Sequence, residues 1–472
     1  MRKFFSGIMA LFICFSLISC ASVEENDGSV FDNDWGSIDK TDYEGAEFII
    51  HQGIYNAEEG DLFNFKRDTP LCDEISVRID NIEKKHNCVL SVKLVSAIME
   101  TMVAGMNPAD ILYTSHGDIR AYSMAGFIHP IDEYSNIVDY RDSFKWGTPN
   151  CLEALMCMGV LYGVLPASWV GNVGGYYFPL VSNNNLLRAK GYSVPHEYIE
   201  AGEWTREKFV EVMIGSSDNA AGIFGVETYP EWWKRMCAFS NGFRYTVLKN
   251  GEPASGFETE ALVDGLEWGN QSLSELRSAG ALKESTTDTG FLNGVAAFTI
   301  VSGSTAVNSY PYKDELNDIS ILPFPGNPNY VEYGKWAGYL SVDSTALAIP
   351  ITTEDVLNTA TIMNELFEPL ADVQNEADLI DYYAKNVFLY RGDAEVLVES
   401  LKNSEFGYWN PGTDGEVFNL FGRVVLSGAP PSTTIGNFAD TIWENVSKFV
   451  VPNKLAYAKY FGFDYFTGLP TE

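Results

Sequence analysis

The sequence predicts an α/β protein in which a largely parallel sheet is covered by helices on both faces. From residue 47 onward, short apolar runs alternate with segments whose apolar residues recur at helical spacing. Strands that alternate with helices in this way pair in parallel. The chain has 472 residues, which is more than a single hydrophobic core usually serves. We therefore expect two globular units.

The first nineteen residues are typical of an export signal. Met-Arg-Lys is a short basic start, and residues 4–19, FFSGIMALFICFSLIS, are almost wholly apolar. A helix of that length reaches about 24 Å, which is short of the roughly 30 Å hydrocarbon layer of a bilayer. The run ends in Leu17, Ile18, Ser19 and Cys20, which resemble the lipobox of bacterial lipoproteins. That resemblance implies that Cys20 carries lipid; a plain secretory signal with an incidental cysteine is the alternative.

Residues 20–43 are predicted to form a flexible tether. The stretch after Cys20 is rich in Ser, Asp, Glu, Asn and Gly and poor in large apolar residues, so it does not bury enough surface to fold. As a coil of about 22 residues it reaches roughly 25 Å. The whole chain carries a formal charge of −33, which argues against nucleic acid and against adhesion to anionic lipid as partners.

The first folded series alternates strand and helix three times. The predicted strands are EFIIHQG (47–53), CVLSVKLV (88–95) and ADILYTS (109–115). The predicted helices are the segment after Thr69 and Pro70, SAIMETMVAG (96–105) and DIRAYSMAGF (118–127). Ligands of such parallel sheets bind at the carboxyl ends of the strands.

A second series follows the segment LYGVLPASW (161–169). In GEWTREKFVEVMIG (202–215), Thr205 is predicted to cap a helix that buries Phe209, Val212 and Met213. GVAAFTIVSGS (294–304) and DISILPFPGNP (318–328) are predicted strands, and the chain ends in helical patterns joined by Gly/Pro loops.

Cysteine and histidine usage argues against a metal site or a disulfide framework. After Cys14 leaves with the signal and Cys20 takes lipid, five cysteines remain without CxxC spacing, and the five histidines are scattered. We expect buried free thiols with at most one bridge, no metal and no cofactor. The sequence has no HExxH, GxSxG, GxGxxG or P-loop, so we expect no enzyme activity.

Four pieces of the chain resemble extracellular solute-binding proteins of bacterial ABC importers, in their carbohydrate-binding branch. They are NPADILYTSHGDIRAYSMAGFIHPIDEY (107–134), GVLYGVLP (159–166), VSNNNLLRAKGYSVP with EWTREKF (181–209), and FLNGVAAFTIVSGS (291–304). The resemblance implies a two-lobe, periplasmic-binding-protein-like fold of type II with strands that cross a hinge. It implies one lobe from 44–166 and 298–348, and a second from 167–297 and 349–472.

The resemblance also implies a function. The chain would be a monomeric, lipid-anchored protein on the extracellular face of the cell membrane. It would capture a sugar or oligosaccharide between its lobes and deliver it to the membrane permease. A sugar needs flat aromatic surfaces for its C–H faces and fixed polar groups for its hydroxyls. The candidate ligand contacts are Asp118, His116, Trp169, Tyr177, Trp232, Trp336, Trp409, Thr305 and Tyr55.

Some of these residues have a plain structural alternative. Asp118 would merely cap the next helix, and neighbouring helical residues such as Trp232 and Trp233 face about 100° apart, so at most one of the two is expected to face a cleft. Two other functions stay open at this point. One is a cleft enzyme of the glycosidase type, which needs two carboxylates across the cleft, and the other is a binding protein for polyamines or peptides.

Overall fold

The computed structural model describes residues 42–53, 60–63, 65–170, 176–302, 316, 318–340, 345–388, 390–407 and 415–471. The predicted signal, Cys20 and nearly all of the predicted tether lie outside the described residues. Within the described ranges, no helix is long and apolar enough to cross a membrane.

The described strands form two main sheets and two short hairpins. In chain order they are β1 (Glu47–Gln52), β2 (Val89–Lys93), β3 (Ile111–Ser115), β4 (Met156–Cys157), β5 (Val160–Leu161), β6 (Tyr176–Asn183), β7 (Phe224–Thr228), β8 (Thr246–Lys249), β9 (Glu252–Ser255), β10 (Leu282–Glu284), β11 (Ala296–Ser302), β12 (Ile319–Leu322), β13 (Tyr339–Leu340), β14 (Thr345–Ala348) and β15 (Glu405–Phe406). The hairpins are β4–β5 and β8–β9.

The described helices are α1 (Pro70–His86), α2 (Ile98–Val103), α3 (His116–Met124), α4 (Ser143–Trp146), α5 (Pro149–Leu152), α6 (Asn184–Ala189), α7 (Pro195–Glu200), α8 (Arg206–Ser216), α9 (Pro230–Ser240), α10 (Glu260–Ser278), α11 (Thr289–Leu292), α12 (Val356–Leu366), α13 (Glu376–Asn386), α14 (Arg391–Asn403), α15 (Gly415–Leu426), α16 (Pro431–Phe449), α17 (Val451–Leu455) and α18 (Tyr457–Phe461). Short 3₁₀ turns occupy Ile131–Tyr134, Glu153–Leu155 and Gly256–Glu258.

The smaller sheet has the strand order β14-β3-β1-β2. β1 lies between β2 and β3 and runs parallel to both, while β14 is antiparallel to β3. Ile50, Ile111 and Leu112 are fully buried at its centre. The three predicted strands of the first series and their parallel pairing are confirmed.

The larger sheet has the order β10-β7-β11-β6-β13-β15, with β12 also paired to β6. β10, β7 and β11 are parallel to one another, and β13 is parallel to β15. β6 runs antiparallel to β11, β12 and β13. The amino end of β6 therefore lies at the same edge as the carboxyl ends of its partners.

Two predicted helix starts are confirmed by their caps. The Thr69 hydroxyl accepts the Cys72 N–H at 3.3 Å, and Pro70 takes the first helical position, where no N–H is needed. The Thr205 hydroxyl accepts the Lys208 N–H at 3.3 Å, and α8 buries the predicted Phe209, Val212 and Met213. Local capping chemistry thus sets where both helices begin.

The strand pairing differs from the predicted division of the chain at residue 298. β11 pairs with β6 and β7, and β12 pairs with β6, so Ala296–Ser302 and Ile319–Leu322 extend the larger sheet rather than the smaller one. The chain returns to the smaller sheet only at β14, which pairs with β3. An apolar alternating pattern identifies a strand but does not encode which sheet supplies its partner, and the division that the resemblance implies places this crossing too early.

The helix after β14 also packs with the first series rather than with the second. The Arg78 guanidinium on α1 donates to the Leu366 carbonyl at 3.1 Å, and the His86 imidazole lies 3.0 Å from the Glu365 carboxylate. Residues 356–368 therefore cover the smaller sheet, although the predicted division at 349 places them in the second lobe.

A buried ionic cluster of Glu153, Glu405, Lys454, Arg244 and Tyr465 ties the C-terminal segment to the larger sheet. The Lys454 ammonium lies 2.5 Å from Glu153 Oε2 and 3.0 Å from Glu405 Oε1. Arg244 Nη1 lies 3.2 Å from Glu405 Oε2, and the Tyr465 hydroxyl donates to that same oxygen at 3.0 Å. Because Glu405 belongs to β15 and Glu153 precedes β4, the cluster joins three separate stretches of the chain.

The five cysteines of the described chain are free and buried, as expected. They are Cys72, Cys88, Cys151, Cys157 and Cys237. The residues that the structure describes contain no group of three or more His, Cys, Asp or Glu arranged to hold a metal ion.

Candidate functional site

Polar side chains collect where β1 and β3 end, and we call this group the first edge: His51, Gly53, Thr114, Ser115 and Asp118. β1 and β3 are adjacent and parallel, so their carboxyl ends meet at one edge of the smaller sheet. The Gly53 N–H donates to the Tyr113 carbonyl at 2.7 Å, which continues the pairing one residue past the strand. The position matches the rule that ligands of parallel sheets bind at carboxyl ends.

Asp118 is held at the first edge by two hydroxyl groups. The Thr114 and Ser115 hydroxyls each donate to Asp118 Oδ2 at 2.8 Å, and the Ser115 hydroxyl accepts the Asp118 backbone N–H at 3.1 Å. Ser115, not Asp118, is thus the N-cap of α3. The carboxylate is exposed and fixed, which leaves Oδ1 in position to accept a hydrogen bond from a hydroxyl of a ligand.

The charge of Asp118 acts on its neighbours. Burial raises the pKa of Tyr122, one turn along α3, to about 12, and Asp118 adds to that rise. Burial lowers the pKa of His51, and Asp118 opposes this effect. The first edge thus presents a carboxylate beside an imidazole whose surroundings favour its neutral form.

Two predicted contacts lie beneath the first edge rather than on it. His116 opens α3 with a fully buried side chain. Trp169 is 1% exposed, its indole N–H donates to the Glu368 carbonyl at 3.0 Å, and its ring lies 4.6 Å from that of Phe367. Trp169 was expected to stack on a ligand, but its ring is enclosed by the core. The sequence of a Gly-rich loop does not reveal which apolar surface the loop packs against.

The second edge is our name for the corresponding edge of the larger sheet, where β6 begins at Tyr176 and where β11, β13 and β15 end at Ser302, Leu340 and Phe406. Two aromatic residues, Tyr229 and Trp232, lie at this edge. Tyr229 follows β7 directly, and its ring lies 5.8 Å from that of Trp232 in a T-shaped contact. Both rings are partly exposed. Partly exposed, mutually supported rings are the kind of surface on which the C–H face of a sugar stacks.

The two adjacent tryptophans of α9 divide as helical geometry predicts. Trp233 is fully buried and its indole N–H donates to the Ser272 hydroxyl at 2.8 Å. Trp232 lies at the second edge. One therefore belongs to the core and the other is partly exposed at the second edge.

Chain connectivity keeps the two edges close. β13 ends at Leu340 on the second edge, and β14 begins at Thr345, which pairs with Ser115 on the first edge. Five peptide steps link Leu340 to Thr345, so their Cα atoms are no more than about 19 Å apart. The link therefore limits how far apart these two strand ends can lie.

The remaining predicted contacts fall elsewhere. Tyr55, Thr305 and Trp409 lie outside the described residues. Tyr177 belongs to the second edge by its backbone pairing with Ser302, and its side chain is likewise not described. Trp336 precedes β13 at its amino end, is 7% exposed and contacts the Tyr333 ring at 5.1 Å, so the structure does not bring it to either edge.

Sequence reasoning missed His51, Thr114, Ser115 and Tyr229. Each stands at or just past the carboxyl end of a parallel strand. The strand-end rule, applied to the last two residues of each strand and to the residue that follows directly, would have found them.

Similar solved structures identify the fold. No protein-family model and no curated protein matches the chain. An ABC substrate-binding protein of Listeria monocytogenes in complex with cycloalternan matches with a TM-score of 0.53 and 13% identity over 86% of this chain and 100% of the other. A cyclo/maltodextrin-binding protein with maltotetraose gives 0.58 and 14%, over 86% and 99%. A Mycobacterium tuberculosis protein with glycerophosphocholine gives 0.53 and 16%, over 79% and 95%.

These similarities confirm the predicted two-lobe, periplasmic-binding-protein-like fold. At 13–16% identity they establish the fold alone. The bound molecules include maltotetraose and glycerophosphocholine, which differ in chemistry, so the ligand of this chain has to be argued from its own residues.

Proposed function

We propose that this protein is the extracellular solute-binding component of an ABC importer and that it captures a sugar or oligosaccharide between its lobes for delivery to the permease. The observation that carries the proposal is the pairing of a fixed, exposed carboxylate at the first edge with partly exposed rings at the second. Hydroxyl recognition and ring stacking are the two requirements of a sugar site, and here each sheet supplies one of them.

The lobes supply a mechanism for capture. The first edge and the second edge belong to different sheets, and only residues 341–344 separate β13 from β14 along the chain. A ligand that bridges them stabilises the closed arrangement by the contacts it makes to both. In this proposal the protein catalyses no reaction on the ligand, so the bound sugar is released intact.

The proposed attachment rests on the sequence around Cys20. The chain would be cleaved before Cys20 and would carry lipid on the Cys20 sulfur. The 20–43 tether would then hold the folded part close to the extracellular face of the cell membrane. Intact-mass analysis of protein purified from membranes tests this. Lipid mass on wild-type protein that is lost in Cys20→Ser supports the anchor, and a mature chain that begins elsewhere contradicts it.

The function is tested by thermal unfolding with a panel of solutes. The panel comprises maltotetraose, cycloalternan, glycerophosphocholine, spermine and a tetrapeptide. Saturation at 100 times Kd adds about 2.7 kcal/mol to the free energy of unfolding. For a folded part of about 430 residues this raises the melting temperature by about 3 °C.

A matched pair of variants locates the response. Asp118→Asn keeps the hydroxyl contacts but removes the charge, and it should weaken sugar binding by about 10- to 100-fold. Asp80→Asn, at an exposed position of α1, should leave binding unchanged. If spermine or the tetrapeptide raises melting and no sugar does, the carbohydrate assignment is wrong. Recovery of hydrolysed maltotetraose would instead support the glycosidase alternative.

A further inference from the structure

His51 is a buried histidine of the first edge, on the strand adjacent to the one that precedes Asp118. It occupies the penultimate position of β1, between β2 and β3, and is 5% exposed. A histidine in the central strand of a sheet costs free energy unless both ring nitrogens are satisfied. The question is therefore what each nitrogen of this ring contacts.

The contact made by Nδ1 decides where the ring proton lies. The backbone N–H of Val95 donates to His51 Nδ1 at 3.0 Å. A nitrogen that accepts a hydrogen bond carries no proton, so a neutral His51 must carry its proton on Nε2. Burial, which lowers the pKa of His51, favours that neutral form over the imidazolium.

Nε2–H is thus a fixed donor, and no hydrogen bond to it is found among the described residues. Gly53 packs directly beside it. A Cβ at Gly53 would lie 2.7 Å from His51 Nε2 and 3.0 Å from Thr114 Oγ1. The imidazole donor and the hydroxyl that holds Asp118 therefore lie on the same side of Gly53, and a side chain at position 53 would have to displace one of them.

A neutral donor beside a fixed carboxylate acceptor matches one kind of ligand group. Adjacent hydroxyls on a sugar ring both accept and donate hydrogen bonds, so one accepts from Nε2–H while its neighbour donates to Asp118. An ammonium group has no lone pair to accept from the imidazole and satisfies only the carboxylate. The imidazole donor and the Asp118 carboxylate together thus favour a vicinal diol over an amine. An acidic charge alone would not make this distinction.

We propose that His51 is a specificity-determining residue of the sugar site, whose Nε2–H donates to one hydroxyl of a vicinal pair while Asp118 accepts from the other. The inference rests on the proposed function and deepens it: the ligand class is an uncharged ring sugar with adjacent hydroxyls that binds at the first edge.

The direct test is nuclear magnetic resonance of protein with ¹⁵N-labelled histidine. The chain has five histidines, and the His51 signals are assigned by their loss in His51→Gln. The probe is maltotetraose, or cycloalternan where only that sugar raises the melting temperature. Saturation should slow exchange of the His51 Nε2 proton with water and shift its resonance, while the nitrogen shifts report the Nε2–H tautomer with and without sugar. Spermine should produce no such protection.

Variants give the second readout. His51→Leu should weaken binding of the probe by about threefold to tenfold. Gly53→Ala keeps the His51 side chain but puts a Cβ 2.7 Å from Nε2, which displaces the imidazole, so it should weaken binding at least as much. Gly436→Ala, where a Cβ meets open space, is the matched glycine control and should bind as wild type does.

The outcomes separate the two levels of the argument. A protein that binds a sugar while the His51 resonances stay unchanged and Gly53→Ala binds normally overturns the role of His51 and leaves the proposed function intact. A protein that binds no sugar of the panel overturns both. If His51→Leu unfolds, the resonance shift in wild type and the affinity of Gly53→Ala still decide the question.

Discussion

Replacement of Lys454 by methionine tests the buried ionic cluster. The three side chains of Glu153, Glu405 and Lys454 are at most 2% exposed, and the ammonium lies within 3.0 Å of a carboxylate oxygen from each partner. Methionine keeps most of the volume and the flexible stem but removes the charge. Removal of one partner from a buried pair leaves the other charges uncompensated, which costs about 3–5 kcal/mol.

The expected loss converts into a measurable shift. Unfolding entropy is about 2.1 cal/mol/K per residue, or about 0.9 kcal/mol/K for a folded part of about 430 residues. Lys454→Met should therefore lower the melting temperature by about 3–6 °C at pH 7, measured by calorimetry without ligand. Lys402→Met is the matched control. Lys402 lies 2.7 Å from Glu376, but the two side chains are 41% and 48% exposed, so its loss should stay within about 1 °C.

The effect has a defined pH dependence. Burial alone would raise the pKa of Glu405, but Lys454 and Arg244 outweigh burial and lower it. An acid with a lowered folded-state pKa adds stability above its unfolded value of about 4.3, and that stability disappears as pH falls through the folded-state value. The difference between wild type and Lys454→Met should thus persist at pH 7 and shrink below about pH 4.

A double variant tests whether the buried charges of the cluster stabilise one another. Glu153→Gln combined with Lys454→Met removes one of the stranded carboxylates, so the pair should lose less stability than the sum of the single losses. Equal losses in Lys454→Met and Lys402→Met, or strict additivity in the double variant, would show that the cluster contributes no more than a surface ion pair.

Three further predictions concern single positions. Burial raises the pKa of Asp393 well above its ordinary range, so Asp393→Asn should raise the melting temperature at pH 7 and have little effect below about pH 3, where the acid is neutral in both states. Trp232→Ala should weaken maltotetraose binding by about two- to tenfold with little change in melting, whereas Trp233→Ala should cost about 3–5 kcal/mol of stability. A Cβ at Gly163 would lie 2.4 Å from a backbone carbonyl of β14, so Gly163→Ala should cost about 1–3 kcal/mol in denaturant unfolding, while Gly436→Ala should not destabilise.

Helix caps and strand ends could be predicted from the sequence wherever residues close along the chain determine the structure. Thr69 and Thr205 cap the predicted helices because a side-chain oxygen satisfies an N–H only three residues away. The strand before Asp118 and the position of Asp118 past its carboxyl end follow from apolar runs that stop at polar loops. These interactions span a few residues, so a short window of sequence contains the information.

Packing between segments that are distant along the chain could not be predicted from the sequence. Trp169 has the sequence surroundings of a ligand-facing loop, yet Phe367, about two hundred residues further along, encloses it. Burial of a ring depends on which surface reaches it, and a loop carries no periodicity from which that surface follows. The donor role of His51 likewise needs Val95, whose N–H meets the ring only after β1 and β2 pair.

By itself the sequence determined the class of fold, the helix and strand starts that depend on nearest neighbours, the buried free thiols and the acidic charge. Only the tertiary structure decided that the chain crosses between sheets after residue 340, that Trp232 rather than Trp233 lies at an edge, and that an imidazole donor stands beside Asp118. The physical reason is that pairing and burial are contacts between segments far apart in the chain, whose free energies depend on geometry that composition and periodicity leave open.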